Sequence, residues 1–170
     1  MPWLDSQYLK RLWVYIHDLY TKELGLDNLL WVYAPNFSSN MPDGPRDVTF
    51  YYPGDEYVDI VGLDWYTGNY NEVVKNGHSA DKMMTFKKPF AYTEFGPNAS
   101  KKTRNFERQV QLYNALDMVK IMKDMTMRGF KIAYCMTWRG GHGAIYSIGK
   151  GEEAAKDPFF ISREKLKNFF

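Results

Sequence analysis

The segment most informative about the fold is Lys88–Gly96, which reads KPFAYTEFG. Pro89 cannot donate a hydrogen bond to a sheet, which suits the first residue of a strand. The four residues after it largely favour β-structure and show no polar alternation, which is typical of a strand buried on both faces. Glu94 stands where this strand should end, and Gly96 breaks the chain. Because a buried carboxylate is costly unless it is paired or used, Glu94 is either a salt-bridged strand end or a functional group.

The rest of the chain repeats this rhythm of strand and helix. Apolar residues at helical spacing predict two long helices, a short one and a last one that begins near the end of the sequence. The helices are predicted in Asp5–Leu24, Asn69–Met84, Asn105–Arg128 and Ser162–Phe170. Besides Lys88–Gly96, β-rich runs predict strands in Asn28–Asn36, Tyr57–Tyr66 and Lys131–Trp138.

Alternating strands and helices predict an α/β fold with a parallel sheet and right-handed crossovers. Two architectures are open, a doubly wound open sheet and part of a (β/α)₈ barrel. No glycine-rich phosphate loop follows any predicted strand, which weakens the nucleotide-binding interpretation. Polar and aromatic groups instead follow the strands, among them Asp64, Glu94 and Arg139. Such groups at successive strand ends are typical of the active-site face of a barrel.

Composition excludes several classes of protein. The chain has 170 residues, 45% of them apolar and 25% charged, which predicts one globular domain. A net charge of +2 without a basic block argues against a nucleic-acid partner. No segment has the apolar length of a membrane span, so no membrane partner is expected. The three histidines lack metal-ligand spacing, so neither a metal nor a cofactor is predicted.

Four motifs in sequence order carry a resemblance to a known family. They are LLWVYAPN (Leu29–Asn36), YYPGDEYVDIVGLDWY (Tyr51–Tyr66), KPFAYTEFG and MTWRGGHGAIYSIGKG (Met136–Gly151). Together they resemble the C-terminal half of a glycoside hydrolase family 26 catalytic domain, typified by endo-β-1,4-mannanases. The resemblance spans residues 1–170 as one unit. It implies a partial (β/α)₈ TIM barrel with strands five to eight, in which Asp5–Leu24 is the helix after strand four.

The resemblance also implies roles for five residues. Glu94 matches the family's catalytic nucleophile at the end of strand seven, and Tyr66 matches the tyrosine that orients it. Three residues match substrate-binding positions, namely Asp64 on strand six, Trp138 at the subsite of cleavage and Arg139 at the next sugar. Independently, a retaining glycosidase needs one carboxylate to attack the sugar and a second carboxylic acid to protonate the leaving oxygen.

That second carboxylic acid is not expected in this chain. The family's general acid/base is a glutamate at the end of strand four with a histidine close before it, and this sequence begins just after that point. The chain is therefore predicted to be a fragment of a retaining endo-β-1,4-mannanase, weak or inactive alone on β-mannan. Three origins are open: a fragment of a gene, a half-barrel that pairs with something, or a sugar-binding cleft without hydrolysis.

The alternatives concern function, location and assembly. A non-hydrolytic carbohydrate-binding or structural half-barrel is the alternative outside enzymes. Lichenase (β-glucanase) or β-1,3-xylanase specificity is the alternative within the family, acting on related β-linked polysaccharides. The resemblance implies a secreted or periplasmic full-length enzyme. Free edges at the predicted strands Leu29–Ala34 and Ile132–Thr137 predict self-association or aggregation.

Overall fold

The computed structural model describes residues 5–36, 47–67, 78–97, 117–137, 156–159 and 161. Helices and strands alternate along these residues, as the sequence predicts. In chain order they are α1 (Ser6–Asp18), β1 (Val32–Tyr33), β2 (Ile60–Thr67), α2 (His78–Met84), β3 (Phe90–Pro97), α3 (Met118–Met127) and β4 (Ile132–Cys135). The helix predicted in residues 162–170 lies outside the described part of the chain.

The four strands form one sheet in the order β1-β2-β3-β4. β1 and β2 pair in parallel. Between β3 and β4, the Phe90 N–H donates to the Lys131 carbonyl, and the Phe95 N–H donates to the Met136 carbonyl. Since both partners advance by the same step, these strands also run in one direction. The parallel sheet predicted from the alternating pattern is confirmed.

The chain contacts define two compact units. The first comprises Met1–Asp64, His78–Thr93 and Lys131–Tyr134, and the second comprises Trp65–Gly77, Glu94–Phe130 and Cys135–Phe170. Buried apolar side chains form a core in each. In the first unit they include Tyr33, Val58, Val61, Leu63, Met83, Phe90, Ala91 and Tyr92, and in the second Trp65, Phe95, Met118, Ile121, Met122, Met125 and Phe130.

The first strand is much shorter than the predicted strand Leu29–Ala34. Within Asn28–Asn36, regular strand is confined to Val32–Tyr33. Pro35 has no N–H to donate to a ladder. At the other end, the Trp31 N–H donates to the Asp59 carboxylate at 2.8 Å instead of to a backbone carbonyl. Regular strand pairing therefore stops near Trp31 and Pro35, and the predicted length is wrong.

The start of the second strand also differs from the prediction of Tyr57–Tyr66. Residues Asp55–Tyr57 form a single turn of 3-10 helix, and the strand begins at Ile60. The turn is fixed by a long-range contact, because the Trp13 indole N–H donates to the Tyr57 carbonyl at 3.0 Å. The local sequence around Tyr57 cannot predict a contact with a residue 44 positions away.

The helix predicted over Asn105–Arg128 begins at Met118 in the structure. The Asp117 backbone is extended, and its carboxylate accepts a hydrogen bond from the Lys120 N–H, which starts the helix there. A helix running unbroken through Asp117 is therefore wrong. Residues 105–116 lie outside the described ranges.

Helix α1 packs against an aromatic cluster and leaves a second apolar face exposed. The Asp5 carboxylate caps its first turn by accepting from the Gln7 N–H. Trp13 and His17 both contact the Trp31 ring edge-on or tilted. The exposed apolar side chains of α1 and of the segment after it, here called the α1 surface, are Tyr8, Leu12, Tyr15, Ile16, Tyr20, Leu24, Leu26, Leu29 and Leu30.

The ion pair between Asp47 and Lys82 in the first unit should make stability depend on pH. Burial raises the pKa of Asp47, but hydrogen bonds from Lys82 and Thr49 outweigh it, so the pKa lies below its ordinary value. A carboxyl whose pKa is lowered by folding stabilises the protein at a pH above its unfolded value, near about 4. That contribution is lost as the pH falls through the lower, folded value.

Lys82→Met should therefore lower the urea midpoint at pH 7, by an amount that shrinks as the pH falls below about 4. The matched control is Lys22→Met, which breaks an ion pair with Asp18 at a more exposed site. We expect the control to change the midpoint little, because exposed ion pairs contribute little to stability. An equal loss for Lys82→Met at pH 7 and at pH 3 would contradict the assignment.

Candidate active site

A tyrosine and a glutamate meet near the carboxyl ends of β2 and β3, within the second unit. Strand β3 continues to Pro97, so the strand end predicted at Glu94 and Gly96 is wrong. The Tyr66 hydroxyl donates a hydrogen bond to Oε2 of Glu94 at 2.6 Å. A phenol bonded to a carboxylate at this distance is a strong, charge-assisted contact. Both side chains are partly exposed. The pair is therefore held in a fixed arrangement without being sealed from a ligand.

The sequence of each strand explains why these two side chains are presented. Along the end of β2, Trp65 and Thr67 are buried while Tyr66 between them is partly exposed. Successive side chains of a strand point to opposite faces, so the buried pair fixes the direction of the phenol. Near the end of β3, Phe95 is buried directly after the partly exposed Glu94. Buried neighbours thus anchor both functional side chains.

A second carboxylate, Asp64, is held within the first unit. Its Oδ1 accepts a hydrogen bond from the Thr93 hydroxyl at 2.6 Å, and its N–H donates to the Pro35 carbonyl at 3.1 Å. The pKa of Tyr134 on β4 is raised by burial and by the negative charge of Asp64. Asp64 is therefore tied to the strands on both sides and lies within electrostatic range of the phenol of Tyr134.

The structure describes three of the five residues that the sequence singled out. It pairs Tyr66 with Glu94 and places Asp64 against β3. Trp138 and Arg139 lie outside the described residues. The contact between Tyr66 and Glu94 is the one that the resemblance implies, and the catalytic and binding roles stay predictions. Sequence reasoning missed Thr93, although a hydroxyl residue directly before a strand-end carboxylate was a signal to consider.

A surface cavity of about 660 Å³ lies elsewhere in the second unit, along α3. Its lining includes Lys120 and Lys123, which form ion pairs with Asp124 and Asp157. Neither Tyr66 nor Glu94 lines it. Because its charged groups are matched against one another, the Tyr66–Glu94 pair is the stronger candidate for chemistry.

Neither a metal-binding cluster nor a membrane-spanning helix is found among the described residues. In them, no three His, Cys, Asp or Glu side chains come together in a way that could hold a metal ion. The helices of the same part of the chain are all too short or too polar to cross a membrane.

A parallel sheet with alternating helices, and a tyrosine-held carboxylate near the end of one strand, are features typical of the active-site face of a (β/α)₈ barrel. Residues 4–164 match the model of glycosyl hydrolase family 26, so the chain belongs to that family. The predicted resemblance is confirmed. With it, the fold is established as part of a (β/α)₈ barrel.

Known relatives match parts of the chain and are themselves longer. A mannan endo-1,4-beta-mannosidase of Bacillus subtilis is 44% identical over 92 residues, which cover 54% of this chain and 22% of the relative. A similar enzyme of Bifidobacterium adolescentis is 28% identical over a match that covers 89% of this chain and 16% of the relative. The chain thus spans about a fifth of the curated relatives it matches.

Solved structures support the fold. The YdhT protein from Bacillus subtilis superposes with a TM-score of 0.58 at 30% identity, over 81% of this chain and 35% of that one. The catalytic domain of a Bacillus sp. JAMB-750 family 26 endo-β-1,4-mannanase gives a TM-score of 0.66 at 22% identity, over 94% and 46% of the two chains. At that identity the second likeness bears on the fold alone.

Proposed function

We propose that this chain supplies the nucleophile of a retaining endo-β-1,4-mannanase, with Glu94 as the attacking group. The observation that carries the proposal is the 2.6 Å hydrogen bond from the Tyr66 hydroxyl to Glu94, which lies in the C-terminal half of β3. A carboxylate at the carboxyl end of a barrel strand lies where barrel enzymes place their catalytic groups. Family membership and the names of the relatives support mannan as the substrate.

The proposed first step uses only this pair and the substrate. An oxygen of the Glu94 carboxylate forms a bond to the anomeric carbon, and the bond to the leaving oxygen breaks with its electron pair. Tyr66 restricts the rotation of the carboxylate and so favours one direction of attack. We assign Trp138 to the sugar at the point of cleavage, Arg139 to the next sugar and Asp64 to a sugar hydroxyl, on the strength of the family motifs.

The leaving oxygen of a polysaccharide needs a proton, and we propose that these 170 residues do not provide the group that gives it. The family's acid/base motif pairs a histidine with a glutamate close after it. In this sequence no glutamate closely follows any of the three histidines. General acid catalysis typically contributes about 10²–10⁴-fold in rate.

The purified chain should accordingly cleave an activated aryl β-mannobioside while leaving polymeric mannan almost untouched. A dinitrophenolate departs without a proton, so the missing acid matters little for its release. Hydrolysis of the glycosyl-enzyme bond lacks the general base that activates water, so this second step should be slow. Dye release and reducing-sugar assays on the same preparation give the two rates. Rapid cleavage of mannan would show that an acid is present. Binding of manno-oligosaccharides without cleavage of either substrate would favour the non-hydrolytic carbohydrate-binding alternative.

We also propose that the chain associates with itself, through the edges of its sheet and the α1 surface. β1 and β4 stand at the two ends of the described sheet, and unpaired strand edges promote pairing between molecules. Leu30 and Tyr15 of the α1 surface are 72% and 62% exposed, and exposed apolar patches favour association. Light scattering should give a mass above 20.0 kDa for the chain, and Leu30→Lys should reduce the excess. A monodisperse monomer would contradict the proposal.

A further inference from the structure

We propose that Thr93 is a positioning residue, whose hydroxyl fixes the Asp64 carboxylate for a sugar hydroxyl, and that Gly62 provides the space which holds Thr93 in place. The proposal rests on the proposed function, in which Asp64 contacts the substrate. It adds two residues that the family motifs did not single out. Thr93, Asp64, Gly62 and Tyr134 all belong to the first unit.

The first support is the hydrogen bond itself. Thr93 Oγ1 donates to Asp64 Oδ1 at 2.6 Å across the neighbouring strands β2 and β3. A carboxylate on two freely rotating bonds would otherwise occupy several rotamers, and each would place its oxygens differently. One short bond from a β-branched residue, which is itself stiff about its first side-chain torsion, selects one of them.

The second support is the tight space beside Thr93. A Cβ added to Gly62 would lie 2.8 Å from Thr93 Cγ2 and 2.9 Å from the Ala91 carbonyl oxygen. Both distances are shorter than a van der Waals contact between such atoms allows. Glycine therefore lets the Thr93 methyl group lie directly on the backbone of β2. With the methyl group seated there, the hydroxyl is directed at Asp64.

The third support is the position of Thr93 in the sequence. It directly precedes Glu94, so the residue that orients one carboxylate is joined by a peptide bond to the other. Burial and the charge of Asp64 raise the pKa of Tyr134, which places the phenol of Tyr134 within electrostatic range of the same carboxylate.

The test compares Thr93→Val, which keeps the shape and removes the hydroxyl, with Thr93→Ser, which keeps the hydroxyl. Steady-state kinetics on the activated aryl mannobioside give KM and kcat separately. We expect Thr93→Val to raise KM about tenfold, with the loss falling on KM more than on kcat, because a binding contact is weakened. Thr93→Ser should restore most of the affinity. Equal losses in both variants would indicate packing alone and overturn the proposal.

A double-mutant cycle with Asp64→Ala distinguishes this proposal from the proposed function. Thr93→Val should have no further effect on KM once Asp64 is gone. The same cycle on the urea midpoint should show coupling between the two residues, even if the chain proves inactive on every mannoside. If the chain is inactive but the urea midpoints show coupling, the proposed function is wrong and the contact between Thr93 and Asp64 still stands. Additive effects in both measurements would overturn the role of Thr93.

Discussion

Replacing Glu94 with glutamine should reduce the release of dinitrophenolate from an activated aryl β-mannobioside to the spontaneous rate. Glutamine has nearly the same shape and can still accept a hydrogen bond from the Tyr66 hydroxyl, so the local structure should persist. The amide is a far poorer nucleophile, and removing a catalytic nucleophile typically costs about 10⁴-fold or more. Release of the dye, followed by its absorbance, measures the loss directly.

Two further variants test whether the loss of rate is specific to Glu94 and its hydrogen bond. Tyr66→Phe removes the 2.6 Å hydrogen bond to Glu94 and should slow the reaction about 10–100-fold, as expected for a bond to a charged group. Glu56→Gln makes the same chemical change as Glu94→Gln at an exposed glutamate and should leave the rate unchanged. Activity that survives in Glu94→Gln would remove this residue from the role of nucleophile.

Leu63→Ala should produce the largest loss of stability among the variants considered. Leu63 on β2 is 0% exposed and lies one residue before Asp64. Cutting a buried leucine back to alanine removes apolar contacts and leaves a cavity, which typically costs about 2–5 kcal/mol. A domain is stable by only about 5–15 kcal/mol, so the variant should unfold at much lower urea. Circular dichroism in urea, at low protein concentration, gives the change.

The chain offers a matched control in Leu30→Ala. Leu30 belongs to the same unit as Leu63 but is 72% exposed. The same chemical change there should alter the free energy of unfolding by no more than about 0.5 kcal/mol. Similar losses in the two variants would contradict the burial of Leu63 and the position of the core.

Local sequence pattern was sufficient for the order of the elements and insufficient for their ends. The run around Phe90 and the alternation of helices and strands predicted the parallel sheet, because burial on both faces leaves a continuous apolar signal. The ends of β1 depend on the Asp59 carboxylate, which is 28 residues from the Trp31 N–H it accepts from. Contacts at that separation leave no trace in a local pattern.

The candidate site shows the same division. A carboxylate late in a buried strand was visible in the sequence, although the strand runs on to Pro97, and the family motifs added Tyr66 and Asp64. Thr93 was read only as a strand residue, because its function lies in a hydrogen bond to another strand. Gly62 likewise has meaning only once its distance to Thr93 is known. Side-chain contacts between neighbouring strands could not be predicted from the sequence.

Covalent labelling with a 2-deoxy-2-fluoro-β-mannobiosyl fluoride directly tests whether Glu94 is the nucleophile. Fluoride leaves without a proton, so the label reports the nucleophile alone, and the fluorine at C2 slows hydrolysis of the glycosyl-enzyme bond. Trypsin should release the peptide from Lys88 to Lys101, in which Glu94 is the one side-chain carboxylate. We expect one sugar per chain, attached to this peptide, and no labelling of the Glu94→Gln variant. A label on any other peptide, or none after prolonged incubation of the folded chain, would contradict it.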